Sequence, residues 1–380
     1  MTLLCSAALL AGLLLLGVIE RRARDRALAA IPVRIHVNGT RGKSTVTRLI
    51  AGALREAGVR TVAKTTGTEP RLILPDGSER AIRRRAPASV REQLWFLRVA
   101  QRMGAGAAVI ECMAIDPQLQ AASEHQMIRS TIGVITNARS DHAEDMGTTV
   151  EEVAAALSNT IPARAVVVIG PTDGAASIER AARAQGSRAV RAGPDVEAGS
   201  ADGAGRWAAE NAGVALAVTR ALGVPDGIAR RGMLRAAPDP GAVRSGEVDV
   251  SGRRVRYVDA AAANDPQSLS LLLEPRVSDA LFVFHNRQDR PARLSVFAGL
   301  PPWERQGDEL VVTGDRPDWM TWRALHQALP GSRLAYVAPG SLADDLRRRL
   351  GEPAGHGLLV FCGNTRHFRR DAVLADIGRG

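Results

Sequence analysis

Cysteine is scarce in this chain. Its 380 residues include three cysteines, Cys5, Cys112 and Cys362. They are too few for a disulfide framework and too far apart for a CxxC motif, which excludes a disulfide scaffold and a cysteine-based metal site. We therefore expect a reducing compartment, and oxygen or nitrogen ligands at any metal site.

Aromatic residues and lysine are also scarce. Phe, Trp and Tyr make up 3% of the chain. Side chains that stack on bases are therefore few, and we expect no nucleic-acid partner in spite of the net charge of +10. Of the 50 basic residues, 48 are arginine, and Lys43 and Lys64 are the two lysines. In such a chain, a lysine marks a position where a compact ammonium is required.

The chain is longer than one hydrophobic core usually accommodates. Hydrophobic residues make up 45% and charged residues 24% of the sequence, as in ordinary globular proteins. We predict two domains, residues 31–237 and 238–380, after an N-terminal segment, residues 1–30. The boundary falls at residues 238–241, where two prolines and a glycine favour a hinge.

An apolar run opens the sequence. Residues 2–19 carry no charge, and as a helix they would be about 27 Å long, close to the thickness of a bilayer core. Basic residues do not precede the run but follow it at Arg21, Arg22, Arg24 and Arg26. We therefore expect a single-pass anchor of the cell membrane with the rest of the chain in the cytoplasm. The alternative is a cleaved signal peptide, which typically has positive charge before a shorter apolar core.

Strands alternate with helices along the rest of the chain. Apolar runs predict buried strands at residues 33–37, 107–111, 131–136, 165–169, 254–258, 280–284, 309–312 and 358–361. Helical periodicity predicts helices at residues 43–57, 90–102, 149–159, 175–184, 206–222 and 226–234. This alternation predicts an α/β fold with a parallel sheet covered on both faces, followed by a second, smaller α/β domain.

A glycine-containing loop joins the first predicted strand to the first predicted helix. Residues 38–45 read Asn-Gly-Thr-Arg-Gly-Lys-Ser-Thr. In such a loop the glycines let backbone N–H groups face a triphosphate, the lysine reaches the phosphates and the serine hydroxyl binds Mg²⁺. The generic pattern GxxxxGK[ST] is not met, because Val37 stands at its first glycine position. The alternative is a tight turn with an incidental lysine, but the flanking strand and helix favour a phosphate loop.

The shortened form GTxGKST resembles the Mur ligase superfamily of ATP-dependent amide ligases. Residues 108–113, with Glu111 at a strand end, and residues 135–142, with His142, support the resemblance. Because open parallel sheets bind ligands at their carboxyl edge, Glu111 and His142 are expected to face the same crevice as the loop.

Within that superfamily the chain is most similar to the family of poly-γ-glutamate synthase ligase subunits (PgsB/CapB). The matching segments are residues 37–49, 61–69, 111–114, 238–242, 263–266 and 362–364. The resemblance implies a parallel-sheet P-loop ATP-binding domain and a smaller Rossmann-like α/β domain. It also implies an enzyme that uses ATP to add glutamate to poly-γ-glutamate through an acyl phosphate, with small membrane subunits as partners. The alternatives are a ligase of the same chemistry on another carboxylate, as in folylpolyglutamate synthase, and a membrane-tethered ATPase for polymer assembly or export.

The resemblance also assigns roles to individual residues. For ATP it implies Gly39, Thr40, Arg41, Gly42, Lys43, Ser44, Thr45, Asn211, Arg244 and Asp265. For Mg²⁺ it implies Ser44, Glu111 and His142, and for catalysis Lys43, Arg244 and His142. For the substrates, position in the chain suggests Lys64, Thr66 and Thr68, with Asn286, Arg287 and Arg290 for the amino acid. An exposed polar loop is an equal alternative for the last three.

Two departures from the superfamily affect the expected substrate and metals. The loop begins soon after the basic flank of the apolar run, so we expect no nucleotide-sugar domain and no UDP-linked substrate. Many superfamily members hold a second metal with a carbamylated lysine. Because no lysine follows Lys64, that device cannot occupy its usual downstream position here.

Overall fold

A computed structural model gives the structure of the chain. It describes residues 2–66, 70–84, 87–139, 143–198, 203–239, 241–261, 266–274, 278–289, 291–299, 305, 307–329, 333–352, 355–364 and 368–378.

The chain forms two compact units. The first comprises Met1–Asp195 and Glu210–Asp239, and the second comprises Val196–Ala209 and Pro240–Gly380. The sequence prediction kept residues 196–209 in the first domain, whereas they group with the second unit. A physical reason is Trp207, whose side chain packs against the hydrophobic core of the second unit.

In the described part of the first unit, eight strands form one sheet. The strands are β1 (Val33–Asn38), β2 (Thr61–Lys64), β3 (Arg71–Ile73), β4 (Glu79–Ala81), β5 (Ala107–Glu111), β6 (Ile132–Ile135), β7 (Val166–Ile169) and β8 (Arg188–Arg191). The helices are α1 (Thr2–Ala30), α2 (Lys43–Glu56), α3 (Glu92–Arg102), α4 (Pro117–Ala121), α5 (Ala143–Met146), α6 (Val150–Leu157), α7 (Ala175–Ala184), α8 (Gly203–Ala221), which extends across both units, and α9 (Asp226–Leu234). A π-helical segment, Ala122–Ile128, follows α4.

The strand order of the first sheet is β4-β3-β2-β5-β1-β6-β7-β8. All neighbours are parallel except β2–β3 and β3–β4, which are antiparallel. The central strand β1 has β5 on one side and β6 on the other, with Val37 paired to Glu111 and Asn38 to Ile135. The carboxyl ends of these three strands therefore meet at one edge of the sheet, where open parallel sheets bind ligands.

The helix α1 contains the apolar run. Its leucines between Leu9 and Leu16 expose 59–70% of their surface, whereas Ala27 near its end is fully buried. Glu20 accepts a hydrogen bond of 3.1 Å from Arg91, close to the start of α3. In the part of the chain that the structure describes, no helix is both long and apolar enough to cross a membrane. The predicted transmembrane helix is thus not supported by the fold.

Two glycines set the distance between α2 and α9. A Cβ atom on Gly52 would lie 2.4 Å from the Gly232 carbonyl oxygen, and one on Gly232 would lie 2.4 Å from the Gly52 carbonyl oxygen. Real Cβ atoms do not approach oxygen this closely, so the helices pack at a separation that only glycine allows.

Among the described residues of the second unit, six strands form a sheet in the order β13-β12-β11-β14-β10-β9. The strands are β9 (Arg244–Val250), β10 (Arg253–Asp259), β11 (Ala280–Asn286), β12 (Glu309–Gly314), β13 (Leu334–Tyr336) and β14 (Leu358–Gly363). The helices are α10 (Pro266–Leu273), α11 (Pro291–Gly299), α12 (Trp319–Ala328), α13 (Leu342–Gly351) and α14 (Arg370–Ile377). The pairs are parallel apart from β9–β10, and apolar cores lie on both faces of the sheet. The predicted α/β class of both domains is confirmed.

Candidate active site

The predicted phosphate loop joins β1 to α2. Gly39 and Gly42 have φ angles of 134° and 78°, which are strained for residues with a side chain. A Cβ atom on Gly39 would lie 2.0 Å from the hydroxyl oxygen of Thr136, and one on Gly42 would lie 2.2 Å from Oδ1 of Asn211. Close neighbours as well as backbone conformation therefore require glycine at both positions.

The side chain of Asn137 holds the loop in shape. Its Oδ1 accepts hydrogen bonds from the Thr40 hydroxyl at 2.6 Å and from the Arg41 N–H at 3.1 Å, and its Nδ2 donates to the Arg41 carbonyl at 3.2 Å. Asn137 is 5% exposed and stands two residues after β6. The sequence prediction assigned it no role, although a polar residue at that strand end was a signal for one.

Lys43 is the first residue of α2. Its Nζ donates hydrogen bonds to the carbonyl oxygens of Gly39 at 2.6 Å and Thr40 at 3.3 Å, so the ammonium spans the loop. Gly42 caps the helix without a side chain. An ammonium and a helix N-terminus at one place form a site for anions such as phosphate.

Glu111 and Ser44 form the oxygen-rich part of the site. Oε2 of Glu111 accepts hydrogen bonds from the Ser44 hydroxyl at 2.8 Å and from the Thr66 N–H at 2.7 Å. Glu111 is 2% exposed. The structure therefore brings together two residues predicted for Mg²⁺ and one predicted for the substrate. A carboxylate and a hydroxyl are donors that suit a hard cation.

The third predicted metal residue, His142, lies outside the described residues. So do Thr68, Asp265 and Arg290. Among the residues that are described, no group of three or more His, Cys, Asp and Glu side chains is placed to hold a metal ion. Asn211 on α8 is described, and its Oδ1 lies against Gly42 as noted above.

Lys64 was predicted to border a substrate, but its side chain is fully buried. Its Nζ lies 3.5 Å from Oε2 of Glu92 and donates a hydrogen bond of 3.2 Å to Oε1 of Gln93. Burial lowers the pKa of the Lys64 ammonium below its ordinary value, and the carboxylates of Glu92 and Glu111 oppose that shift. The Lys64 side chain is therefore enclosed by protein and does not form an open binding surface.

A buried ion pair lies on β1, two residues before the loop. His36 Nδ1 is 2.9 Å from Oε2 of Glu124, whose carboxylate also accepts hydrogen bonds from the N–H and hydroxyl of Ser130. Burial by itself lowers the pKa of His36, but Cys112 and Glu124 outweigh it and raise the pKa to about 9. The imidazole is therefore charged at neutral pH.

In the second unit, Arg244 lies at the start of β9. It donates hydrogen bonds to Oδ2 of Asp259 at 3.1 Å and to Oδ1 of Asp371 at 2.8 Å. Arg370 donates to the same oxygen of Asp259 at 2.8 Å. Asp259 ends β10, is 3% exposed and was not predicted as a site residue. Because Asp259 has a second arginine partner, its charge is not balanced by Arg244 alone.

A cavity of about 320 Å³ opens at the carboxyl edge of the second sheet. Its lining includes Asn286 and Arg287, both predicted for the amino acid, and also Arg316. The Asn286 Nδ2 donates to the Asp315 carbonyl at 2.9 Å, while its buried Oδ1 has no hydrogen-bond partner among the described residues. The Arg316 guanidinium lies 4.9 Å from the centre of the Tyr336 ring. The lining thus contains two arginines, of which Arg287 is paired with Asp289, and one carboxylate, that of Asp318.

Comparisons with known proteins agree with this geometry. The Mur ligase middle domain matches residues 37–221, and the poly-gamma-glutamate synthase CapB C-terminal domain matches residues 246–376. PGA synthase CapB of Bacillus subtilis (strain 168) is 33% identical over 356 residues, 89% of each chain. The capsule biosynthesis protein CapB of Bacillus anthracis is 36% identical over 299 residues, 75% of this chain and 64% of that protein.

Two solved structures show the same fold. MurF from Acinetobacter baumannii has a TM-score of 0.65 at 14% identity and matches 95% of this chain and 79% of its own. Mycobacterium tuberculosis folylpolyglutamate synthase complexed with ADP has a TM-score of 0.62 at 17% identity and matches 96% of this chain and 94% of its own. With 33% identity to a CapB protein over 89% of both chains, this chain belongs to the CapB family of Mur ligases and is an ATP-dependent amide ligase.

Proposed function

We propose that this ligase extends poly-γ-glutamate by one glutamate per ATP. The observation that carries the proposal is the phosphate loop with Lys43 across it and the Ser44–Glu111 pair beside it, in a chain whose relatives are named PGA synthase and capsule biosynthesis protein. ATP transfers its γ-phosphate to the carboxylate at the end of the polymer. The amine of the next glutamate then displaces phosphate and forms the amide.

The donor set of the first unit fits Mg²⁺. Ser44 and Glu111 would hold the ion, since their oxygen atoms lie 2.8 Å apart at the carboxyl edge of the sheet. When bound, the ion would neutralise part of the negative charge of the phosphates. The protein's own contribution is the Lys43 ammonium and the helix N-terminus, which orient the phosphates, and Arg244, which adds positive charge during phosphoryl transfer.

The cavity of the second unit fits the incoming amino acid. Glutamate carries two carboxylates and one ammonium. Arg316 and Arg287, which also pairs with Asp289, supply two cations for the carboxylates, and the Asp318 carboxylate in the same lining supplies an acceptor for the ammonium. A volume of about 320 Å³ accommodates one amino acid with water.

Membrane attachment is a separate part of the proposal. It rests on the uncharged run of residues 2–19 and the arginines that follow it. We propose that this segment holds the enzyme at the inner side of the cell membrane, together with small membrane subunits of a synthase complex. Protease added outside intact cells is then expected to leave residues 30–380 uncut. Digestion of that part from outside would contradict the assignment.

The second candidate function is a ligase of the same chemistry on another carboxylate. The similarity in fold to folylpolyglutamate synthase favours it. The third candidate function is a membrane-tethered ATPase for polymer assembly or export, which predicts ATP hydrolysis without any amino acid.

A product assay separates these functions. Full-length protein in membranes receives ATP, Mg²⁺ and glutamate, with or without a poly-γ-glutamate primer, and the products are identified by mass spectrometry. We expect polymers that grow in steps of one glutamate, with one ADP released for each new amide bond. Addition of glutamate to a folate and not to the polymer would support the second candidate, and ADP release without glutamate would support the ATPase. Lys43→Arg protein, prepared in the same way, is the control for contaminating enzymes.

A further inference from the structure

Lys64 occupies an unusual environment for a lysine. It is one of the large side chains that are fully buried among the described residues, although arginine supplies nearly every other positive charge of the chain. Burial of an ammonium is costly unless a specific set of partners compensates it. A need for positive charge on the protein surface therefore does not explain why a lysine stands at this buried position.

The partners of Lys64 lead to Glu111 by two routes. In the first, Lys64 Nζ donates to Oε1 of Gln93 at 3.2 Å, and Nε2 of the same amide donates to the Glu111 carbonyl at 3.3 Å. Gln93 is fully buried, so its amide has no solvent to bind instead. Because the Lys64 ammonium fixes the oxygen of the Gln93 amide, the NH₂ group of that amide is held toward the Glu111 backbone.

The second route runs along the chain. Lys64 ends β2, and two residues later the Thr66 N–H donates to Oε2 of Glu111 at 2.7 Å. Lys64 Nζ also lies 3.8 Å from the sulfur of Met113, two residues beyond Glu111. Lys64 therefore contacts the segment that contains Glu111, and it fixes the end of the strand whose backbone binds the Glu111 carboxylate.

Glu92 keeps the ammonium in place. Its carboxylate lies 3.5 Å from Lys64 and accepts two hydrogen bonds from Arg84, at 2.6 and 3.2 Å. The Glu92 carboxylate is thus fixed from two sides, and Lys64 has little freedom to turn toward a ligand. This arrangement differs from that expected of a substrate-binding lysine, whose ammonium must be open to the substrate.

We propose that Lys64 is a positioning residue for Glu111, acting through Gln93 and the backbone of Thr66, and that it does not bind substrate. The inference rests on the proposed role of Glu111 in holding Mg²⁺. Loss of Lys64 leaves the Glu111 carboxylate present but free to turn away from Ser44, so binding of the divalent cation weakens.

The test is a titration of full-length protein with Mn²⁺ in the presence of ADP, followed by electron paramagnetic resonance. Four variants are compared with the wild type: Lys64→Met, Gln93→Met, Glu111→Gln and Arg48→Met. Arg48 is the matched control, because it is a buried cation paired with the Glu79 carboxylate and, within the described residues, it has no hydrogen bond to the Glu111 segment. Gln93→Met interrupts the first route without removing a charge, so it remains informative where Lys64→Met does not fold.

We expect the Mn²⁺ dissociation constant to rise about tenfold or more in Lys64→Met and Gln93→Met, as is usual when a residue that orients a metal ligand is lost. Arg48→Met should bind Mn²⁺ like the wild type. The KM for glutamate should stay unchanged in Lys64→Met, Gln93→Met and Arg48→Met. Unchanged Mn²⁺ binding in Lys64→Met and Gln93→Met, with a raised KM for glutamate or polymer in Lys64→Met, would overturn the inference in favour of a substrate role. Unchanged Mn²⁺ binding in Glu111→Gln would overturn the metal assignment itself, and the inference with it.

Discussion

Arg244 and Arg370 donate hydrogen bonds to the same carboxylate oxygen of Asp259, at 3.1 and 2.8 Å. A buried carboxylate that loses its only cation becomes an unpaired buried charge, which costs several kcal/mol. Asp259 keeps Arg370 when Arg244 turns to another partner, so that cost is avoided. The shared oxygen therefore agrees with the proposed role of Arg244 in phosphoryl transfer.

Replacement of Arg244 by alanine tests that role. Because Arg244 is expected to stabilise phosphoryl transfer more than it binds ATP, kcat should fall by about 100- to 1,000-fold while the ATP dissociation constant changes little. The two constants are measured by single-turnover kinetics and by calorimetry. Arg254→Ala is the control, since Arg254 is an exposed arginine on the adjacent strand β10. Loss of ATP binding with an unchanged rate of the bound complex would contradict the prediction.

Lys43→Arg retains the positive charge but changes its shape. The Lys43 ammonium fits between two carbonyl oxygens of the loop, at 2.6 and 3.3 Å, and a planar guanidinium cannot take the same place. We expect ATP turnover to be abolished while the melting temperature stays close to that of the wild type. Near-normal turnover in this variant would show that the loop does not bind the nucleotide.

Gly39→Ala should distort the phosphate loop, because the new methyl group collides with a neighbouring side chain and because the backbone conformation is strained for alanine. The new Cβ atom would lie 2.0 Å from the Thr136 hydroxyl oxygen, at a φ angle of 134°. We expect a loss of about 100-fold in kcat/KM for ATP, since a displacement of about 1 Å in a phosphate site has effects of this size. Gly58→Ala is the matched control, because Gly58 also has a positive φ angle, 78°, but no atom within 4 Å of the added Cβ. Equal losses in both variants would mean that strain, and not the contact, is responsible.

The pair of His36 and Glu124 predicts a pH dependence of stability. The pKa of His36 is raised from 6.5 to about 9, so the folded state binds the proton more tightly than the unfolded state. The stabilisation is complete below pH 6.5 and is lost as the pH rises to about 9. Over that interval we expect the free energy of unfolding to fall by about 3 kcal/mol at most.

Urea denaturation at a series of pH values measures this effect. The variant His36→Gln can still donate a hydrogen bond to Glu124 but cannot take up a proton. Its stability should change less between pH 6.5 and 9 than that of the wild type. The same slope in both proteins would show that His36 is neutral in the folded state.

Long regular elements of the fold could be predicted from the sequence. The helices α7 and α9 have the bounds that were predicted, and β1 and β5 agree to within one residue. Each has an apolar pattern that runs the full length of the element. Short elements could not be predicted, because the strands β3 and β4 have three residues each and show no period.

Part of the active site could not be predicted from the sequence. The loop residues and Glu111 were predicted, because glycines, a lysine and a strand end are local signals. The hydrogen bonds of the Asn137 and Gln93 side chains were not predicted, because they join residues that are distant in the chain. The burial of Lys64 is a tertiary property too, and its position in the chain predicted only that it borders the incoming carboxylate.

The close packing of Gly52 on Gly232 has a consequence for attempts to make this enzyme more thermostable. Replacing a helical glycine by alanine usually stabilises a protein by about 0.5–1 kcal/mol, and Gly52 is an obvious choice for such engineering. Here the added methyl group would meet the Gly232 carbonyl at 2.4 Å and force α2 away from α9. Because α2 begins at Lys43, about 13 Å along the helix axis from Gly52, the displacement would reach the phosphate loop. The substitution Gly52→Ala, chosen to raise the melting temperature, would thus lower the affinity of the enzyme for the nucleotide.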